Sequence, residues 1–312
     1  MVDRCGKVKI LAFLMHKKIT IVTHSGSFHP DDVFAVATLL LMLDSKPVET
    51  RVIRSRDSEV IKQADFIVDV GAISNPTTNN FDHHQTGGAG ARANGVPYAS
   101  FGLVWKQFGS EITGSEKIAG LVDRELVQPI DYGDNFATPL SEIAPGIYPY
   151  TFDRLISVFC DTYEENNRNT DEVFFQLVSF AKQVLIREIA QAKELTAAQP
   201  AVESAYQQAS DKRVIVLEDH YPWYQIISKY PEPLFVVFPS DALQWGVMAV
   251  RKGEHQYENR KDFPKDWCGK RNEELASISG VSDAVFCHNR LFFAVAKSKE
   301  GALELARKAL DY

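Results

Sequence analysis

The first half of the chain alternates β-branched runs with helical patterns, and this order limits the fold more than any other feature. "ITIVTH" reads as a strand, "DDVFAVATLLLML" as a helix, "VETRVIRS" as a strand, "RDSEVIKQA" as a short helix and "DFIVDVG" as a buried strand. Strand, helix, strand in that order implies parallel strands joined by crossover helices. Open sheets of this kind bind ligands at the carboxyl ends of their strands. His24 and Asp69 both fall at such ends, so they can converge although far apart in sequence.

Further helices are expected at "ASFGLVWKQFG" and "SEKIAGLVDRELV". From Thr170 to Lys193 the apolar residues Val173, Phe174, Leu177, Phe180, Ala181, Val184 and Leu185 recur at three-to-four spacing, the mark of an amphipathic helix. The Ala/Gln-rich "TAAQPAVESAYQQASDK" that follows is a candidate linker. Alternation then resumes in "RVIVLED", "LFVVFPS", "WGVMAVRK", "DAVFCH" and "LFFAVAK", with helices at "NEELASIS" and "KEGALELARKAL". With 312 residues, the chain is longer than one hydrophobic core usually serves, so two domains are expected. The division is 17–168 for an α/β domain, 169–212 for a helical connector and 213–312 for a smaller α+β domain.

Composition excludes several classes. A chain that is 45% hydrophobic and 24% charged is neither disordered nor fibrous. Four scattered cysteines, Cys5, Cys160, Cys268 and Cys287, form no CxxC pair, which points to a reducing, cytoplasmic compartment. The run "ILAFLM" is too short to span a bilayer, so no membrane is expected, and Met15 is a second candidate start ahead of the first strand. A formal charge of -7 argues against a broad basic surface for nucleic acid, though not against a phosphate substrate reached through cations.

Three clusters place carboxylates and imidazoles where strands end: "THSGSFHPDD" with His24, His29, Asp31 and Asp32, "VDVG" with Asp69, and "FDHHQ" with Asp82, His83 and His84. Asp31 and Asp32 also suit the positive end of a helix. Asp69 interrupts an apolar strand, and a carboxylate there is costly unless paired or metal-bound. Hard divalent cations take carboxylate oxygen, and imidazole shifts the preference toward Mn²⁺, Fe²⁺ or Zn²⁺. One ion needs three or four ligands and this region offers more, so two ions are expected, with Asp69 bridging them.

"HSGSFHPDD", "VDVG", "DHHQ" and the later "IDYGDN" resemble motifs I to IV of the DHH phosphoesterase superfamily. More narrowly, the first and third of these, with "FPKDWCGKRNEEL", "FCH" and "KEGALELA", resemble the Myg family, whose eukaryotic members are described as 3′-to-5′ RNA exonucleases. The resemblance implies a DHH-type parallel β-sheet domain flanked by helices, a second domain across a cleft, and two divalent cations, commonly Mn²⁺ with Mg²⁺ as the alternative. It implies His24, His29, Asp31, Asp69, His83 and Asp131 as metal ligands, Asp82 and His84 as catalytic or orienting groups, and Gly133, Asp134 and Asn135 as shaping the fourth loop. Gln128, Tyr132, Ala294 and Val295 depart from the pattern and bear on substrate choice. Arg251, Arg260, Arg271 and His288 are the expected substrate contacts of the second domain, because guanidinium forks match phosphate. The expected substrate is RNA or a short oligonucleotide. A small phosphoester such as pyrophosphate, a nucleoside bisphosphate or a cyclic dinucleotide is the alternative, and a non-catalytic metal- or nucleotide-binding regulator the third reading. Monomer and homodimer both remain open.

Overall fold

The structure, a computed structural model, describes residues 17–136, 141–162, 164–165, 169–240, 243–253 and 256–312. The N-terminal run, Met15 and Cys5 lie outside the described residues. The chain divides into two compact units, Met1–Ala192 and Lys193–Tyr312.

The first unit begins with β1 (Lys17–Thr23), α1 (Pro30–Leu43), β2 (Val48–Arg54), α2 (Ser58–Ile61), β3 (Phe66–Val68), β4 (Ser74–Asn75) and β5 (Asn80–Phe81). The strand order is β2-β1-β3-β5-β4. β1 is parallel to β2 and β3, β3 is parallel to β5, and only the edge pair β4–β5 is antiparallel. The expected crossover topology is therefore present. β1, β3 and β5 end at Thr23, Val68 and Phe81, and the residues that follow them are His24, Asp69 and Asp82.

Local chemistry explains why those strands stop. Pro30 at the first turn of α1 sacrifices an N–H that has no helical partner, and Asp31 and Asp32 favour the positive helix end. Asp69 has φ of +53° and Gly71 +95°, so the chain leaves β3 through left-handed backbone that β structure cannot continue. α1 is buried nearly all round, with Val33, Phe34, Val36 and Leu39 in the core, and it packs against α3 (Ser100–Thr113). α4 (Glu116–Val122), a π-helical turn at Asp123–Val127 and α5 (Gln128–Asn135) follow, then α6 (Phe152–Ser157). "IDYGDN", expected to form a loop, is thus part of a helix.

α7 (Thr170–Gln208) contains both the expected amphipathic helix and the stretch expected as a linker. "TAAQPAVESAYQQ" is rich in strong helix formers, and Leu195, Ala198, Val202 and Tyr206 pack into a core of the second unit. That stripe offsets Pro200, which would otherwise cost a helix interior about 3 kcal/mol.

The second unit continues with β6 (Val214–Val216), α8 (Tyr224–Ile227), β7 (Phe235–Pro239), β8 (Trp245–Ala249), α9 (Asn272–Ser279), β9 (Ala284–Cys287), β10 (Phe293–Ala296) and α10 (Lys299–Asp311). Its sheet runs β6-β7-β8-β10-β9 and is antiparallel except for β6–β7. Phe235 and Val237 join one core while Val236 and Phe238 join another, so the sheet is buried on both faces. Among the described residues no helix is long and apolar enough to cross a membrane.

Candidate metal centre

The three strand ends of the first unit bring imidazoles against carboxylates. His24 Nε2 lies 3.3 Å from Asp32 Oδ2 and 3.3 Å from Asp69 Oδ2. His83 Nε2 lies 3.1 Å from Asp134 Oδ2, 3.5 Å from Asp69 Oδ1 and 3.9 Å from Asp31 Oδ2. His84 Nδ1 lies 2.8 Å from Asp82 Oδ1 and 3.3 Å from Asp69 Oδ1. Asp69 touches all three imidazoles, using both of its oxygens.

The N-terminus of α3 is the second organising element. Asp31 accepts hydrogen bonds from the backbone N–H groups of Ser100 (3.0 Å) and Phe101 (2.7 Å), and Ser100 Oγ donates to Asp69 Oδ1 at 3.2 Å. The N–H of Gly102 donates to Asp131 Oδ1 at 2.9 Å. Here glycine is required, since a Cβ at position 102 would sit 1.8 Å from Asp131 Oδ2. Unpaired helix N–H groups and the helix dipole thus hold carboxylates that would otherwise repel one another.

Charge perturbations follow from this crowding. Burial, reinforced by the carboxylates of Asp69 and Asp134, pushes Asp31 well above the usual carboxylate range. Burial likewise pushes Asp32 and Asp131 up to about 7. For Asp69 burial acts upward too, but the imidazoles of His24 and His83 overcome it and hold the carboxyl below its ordinary value. Burial opposes protonation of His83 and His24, yet the surrounding carboxylates raise both. The cluster as a whole demands positive charge.

Two atoms show what kind of positive charge fits. His83 Nε2 is buried among three carboxylates without a hydrogen bond of acceptable geometry, and so is Asp32 Oδ2 despite its 3.3 Å approach to His24. Orphaned buried polar atoms are rare in a folded core. Donor atoms of His24, His29 and Asp69 lie within 4.8 Å of one another, as do those of Asp69, His83 and His84 and those of Asp31, His83 and Asp134. Mixed imidazole and carboxylate donors suit a divalent first-row cation.

Of the residues expected as ligands, His24, His29, Asp31, Asp69 and His83 fall into these groups. Asp131 does not. Its Oδ2 is taken by Arg92 Nη1 at 2.8 Å and its Oδ1 by Gly102, while Arg92 also grips Asp123. Asp134, expected only to shape a loop, takes its place beside His83, with Asn135 Oδ1 3.4 Å from His83 Nδ1. Because α5 is helical, residues 131, 134 and 135 share a face, and that spacing was the available signal. Asp82 accepts from the N–H groups of Ala72 (2.6 Å) and His84 (3.1 Å), which makes it the brace for His84. Arg92 and Ser100 carried no sequence signal of their role.

In the second unit Arg260 is committed to the fold. Its Nη1 donates to the carbonyls of Tyr230 (2.5 Å) and Pro233 (3.0 Å), and its Nη2 donates to that of Ser228 (2.8 Å). Arg251 lies over the rings of Tyr224 and Tyr257, and Arg271 over that of Phe286. His288 Nδ1 accepts from the N–H of Arg290 at 3.1 Å.

Comparison with known proteins places the chain. Residues 20–310 match the profile of the MYG1 exonuclease group, described as an uncharacterised protein family (UPF0160). A "MYG1 protein" from Dictyostelium discoideum is 30% identical over 94% of this chain and 97% of its own length. "MYG1 exonuclease" of Homo sapiens is 27% identical over 92% of this chain and 85% of its own length. A "MYG1 protein" from Chlamydia muridarum is 29% identical over 90% and 93%. Among solved structures, an exonuclease RecJ bound to manganese aligns over 94% of this chain and 90% of its own, but at 13% identity and a TM-score of 0.27 the likeness carries no argument. With nearly its whole length matched by the profile and by relatives from slime mould to bacterium, the chain belongs to the MYG1 exonuclease family, UPF0160.

Proposed function

We propose that this protein is a metal-dependent phosphodiesterase that shortens RNA or short oligonucleotides from the 3′ end. The observation that carries this reading is the buried His83 Nε2, orphaned among Asp31, Asp69 and Asp134 at the carboxyl ends of parallel strands. The names borne by the mammalian relatives, exonucleases, support attack from a chain end, and the 3′-to-5′ direction follows the resemblance in motif.

His24, His29 and Asp69 would hold one divalent cation and Asp31, His83 and Asp134 a second, with Asp69 shared, and Mn²⁺ is the ion we assign. Bound there, such cations neutralise phosphoryl oxygens and make a water acidic enough to serve as nucleophile near neutral pH. The chain's own contribution is positional. The backbone N–H groups of Ser100 and Phe101 fix Asp31, and Ser100 Oγ fixes Asp69. Asp82 grips Nδ1 of the exposed His84, which orients the ring. The other ring nitrogen then offers a proton to the leaving oxygen. No covalent intermediate is required. Arg251, Arg271 and His288 remain candidates for substrate contact, and the cytoplasm is the compartment we assign.

End-labelled RNA, single-stranded DNA, a cyclic dinucleotide and pyrophosphate, each incubated with Mn²⁺ or Mg²⁺, test the reading. A ladder that shortens from the 3′ end of RNA is expected. Turnover of pyrophosphate alone would replace this assignment with a small-molecule phosphoesterase, and metal binding without turnover would replace it with a regulator.

A further inference from the structure

Arg54 and Arg56 leave the carboxyl end of β2 two residues apart, yet their environments differ. Arg54 is buried, with its guanidinium given to the carbonyl of Gly26 and to Asp171 Oδ1 and lying over the rings of Phe28 and Phe174. Arg56 is exposed and spends only Nε, which donates to the carbonyl of Ser25 at 3.2 Å. Among the described residues no carboxylate pairs with it. Its neighbour Asp57 is occupied in capping α2, where it accepts from the N–H of Glu59 at 2.8 Å. The two Nη groups of Arg56 are therefore left as a fork, the geometry that matches phosphate oxygens.

Its position makes the fork relevant. The N–H of Ser55 donates to the carbonyl of Thr23 at 2.8 Å, so the exits of β2 and β1 lie side by side at the carboxyl edge of the sheet. The Ser25 carbonyl that receives Arg56 Nε also lies 3.3 Å from His24 Nδ1. His24 meets Asp32 and Asp69 through its other nitrogen, Nε2. Arg56 thus sits beyond the imidazole from the carboxylates, adjacent to the metal centre but outside it.

We propose that Arg56 binds the phosphate next to the scissile one, so that the preferred substrate is a chain with at least two phosphates. This rests on the phosphodiesterase reading above. A polyanion approaching a cluster of carboxylates on a protein of formal charge -7 gains most from a cation placed where its next phosphate falls. Such a contact favours a polyphosphodiester over a substrate with one phosphodiester, and it acts through binding.

The test compares the full chain with Arg56→Ala and Arg56→Lys on two substrates, a pentaribonucleotide and the p-nitrophenyl ester of thymidine 5′-monophosphate. Arg56→Ala is expected to lower the preference for the pentamer, as a ratio of kcat/KM values, about tenfold, with the loss in KM. The slope of log KM against log salt for the pentamer should flatten by about 0.7, the release expected for one single-strand phosphate contact. Arg56→Lys should keep the wild-type salt slope and recover part of the affinity. An unchanged preference overturns the proposal. Proportional loss on both substrates with weakened Mn²⁺ binding also overturns it, since Arg56 would then only brace the His24 loop. If the wild type cleaves no phosphodiester, the earlier reading fails and binding decides this one. Fluorescence anisotropy of a labelled pentaribonucleotide in Ca²⁺ would then support the phosphate contact if Arg56→Ala binds more weakly, and refute it if the two bind equally.

Discussion

The two units handle polar groups in opposite ways. Every buried Asp, His and Arg of the described chain belongs to the first unit, whereas Ser279 is the only buried polar or charged residue of the second. Strand direction is the physical reason. Parallel β1, β3 and β5 all end at one edge, so the residues after them converge without further design. The second sheet is antiparallel apart from one pair, its strand ends alternate between edges, and its cores are apolar on both faces. One unit concentrates charge, and the other conserves stability.

If that contrast is functional, the first unit should contain substitutions that abolish activity without unfolding the chain. Asp69→Asn is the sharpest, since asparagine tolerates the left-handed backbone at φ +53° while removing the charge shared by three imidazoles. Turnover should fall by roughly a thousandfold or more, the several kcal/mol a metal centre contributes. Circular dichroism should be unchanged, and near-wild-type turnover would remove Asp69 from the centre.

Asp131 and Asp134, three residues apart, should separate fold from metal. Asp131→Ala strips a partner from the largely covered guanidinium of Arg92 and leaves the Gly102 N–H unpaired, and should cost about 3 kcal/mol in urea unfolding. Asp134→Ala should cost less than about 1 kcal/mol but weaken Mn²⁺ binding by roughly tenfold or more, measured by electron paramagnetic resonance. The reverse pattern would restore Asp131 as the ligand.

How far the sequence carried this picture depends on range. Strand ends were legible because apolar runs and their terminating residues are local, and so the placement of His24, Asp69 and Asp82 was within reach. The partners of those residues were not. Ser100 and Gly102 act through backbone N–H groups at a helix end, a role independent of side-chain type except for the missing Cβ at 102 and the Ser100 hydroxyl that reaches Asp69, and a lone serine in sequence does not announce that contact. Arg92 reaches Asp131 from a glycine-rich loop whose sequence says nothing of its destination. The loop at "IDYGDN" was implied by the resemblance alone, while tertiary packing keeps the stretch helical and sets Asp134 beside His83. The Ala/Gln-rich composition of "TAAQPAVESAYQQASDK" suggested a linker, yet the stretch through Gln208 is helical.

Metal removal and pH should sharpen the contrast further. Asp32 and Asp131 are raised to about 7, and His24 and His83 also lie above their ordinary values. A raised group stabilises the fold below its unfolded pKa and loses that contribution as pH rises through its folded value. Asp69, held low, is ionised in both states above pH 5 and contributes no slope there. The chelated protein should therefore melt at a lower temperature at pH 8 than at pH 6. Mn²⁺ at a hundredfold excess over its Kd at pH 6 should add about 2.7 kcal/mol there, and the same concentration should add more at pH 8, where its ligands are deprotonated. Scanning calorimetry with and without chelator checks both signs, and a pH-independent melting temperature without metal would contradict the charge assignment.

The smallest effect belongs to the second unit. Arg260→Ala removes a guanidinium that ties three carbonyls together at Ser228, Tyr230 and Pro233. Ser228 and Tyr230 are half-buried and their carbonyls regain water, whereas Pro233 is buried, so the cost should be about 2 kcal/mol rather than the full penalty of three lost charge-assisted bonds. Mn²⁺ affinity should not move, because the metal-binding groups lie in the other unit. Hydrogen exchange should show faster opening of the second sheet alone, around β7 and β8, with the first unit's amides unchanged. If KM for an oligonucleotide rises instead while exchange stays at the wild-type rate, Arg260 serves substrate after all, and the division between a charged unit and a stabilising one is less complete than its buried residues suggest.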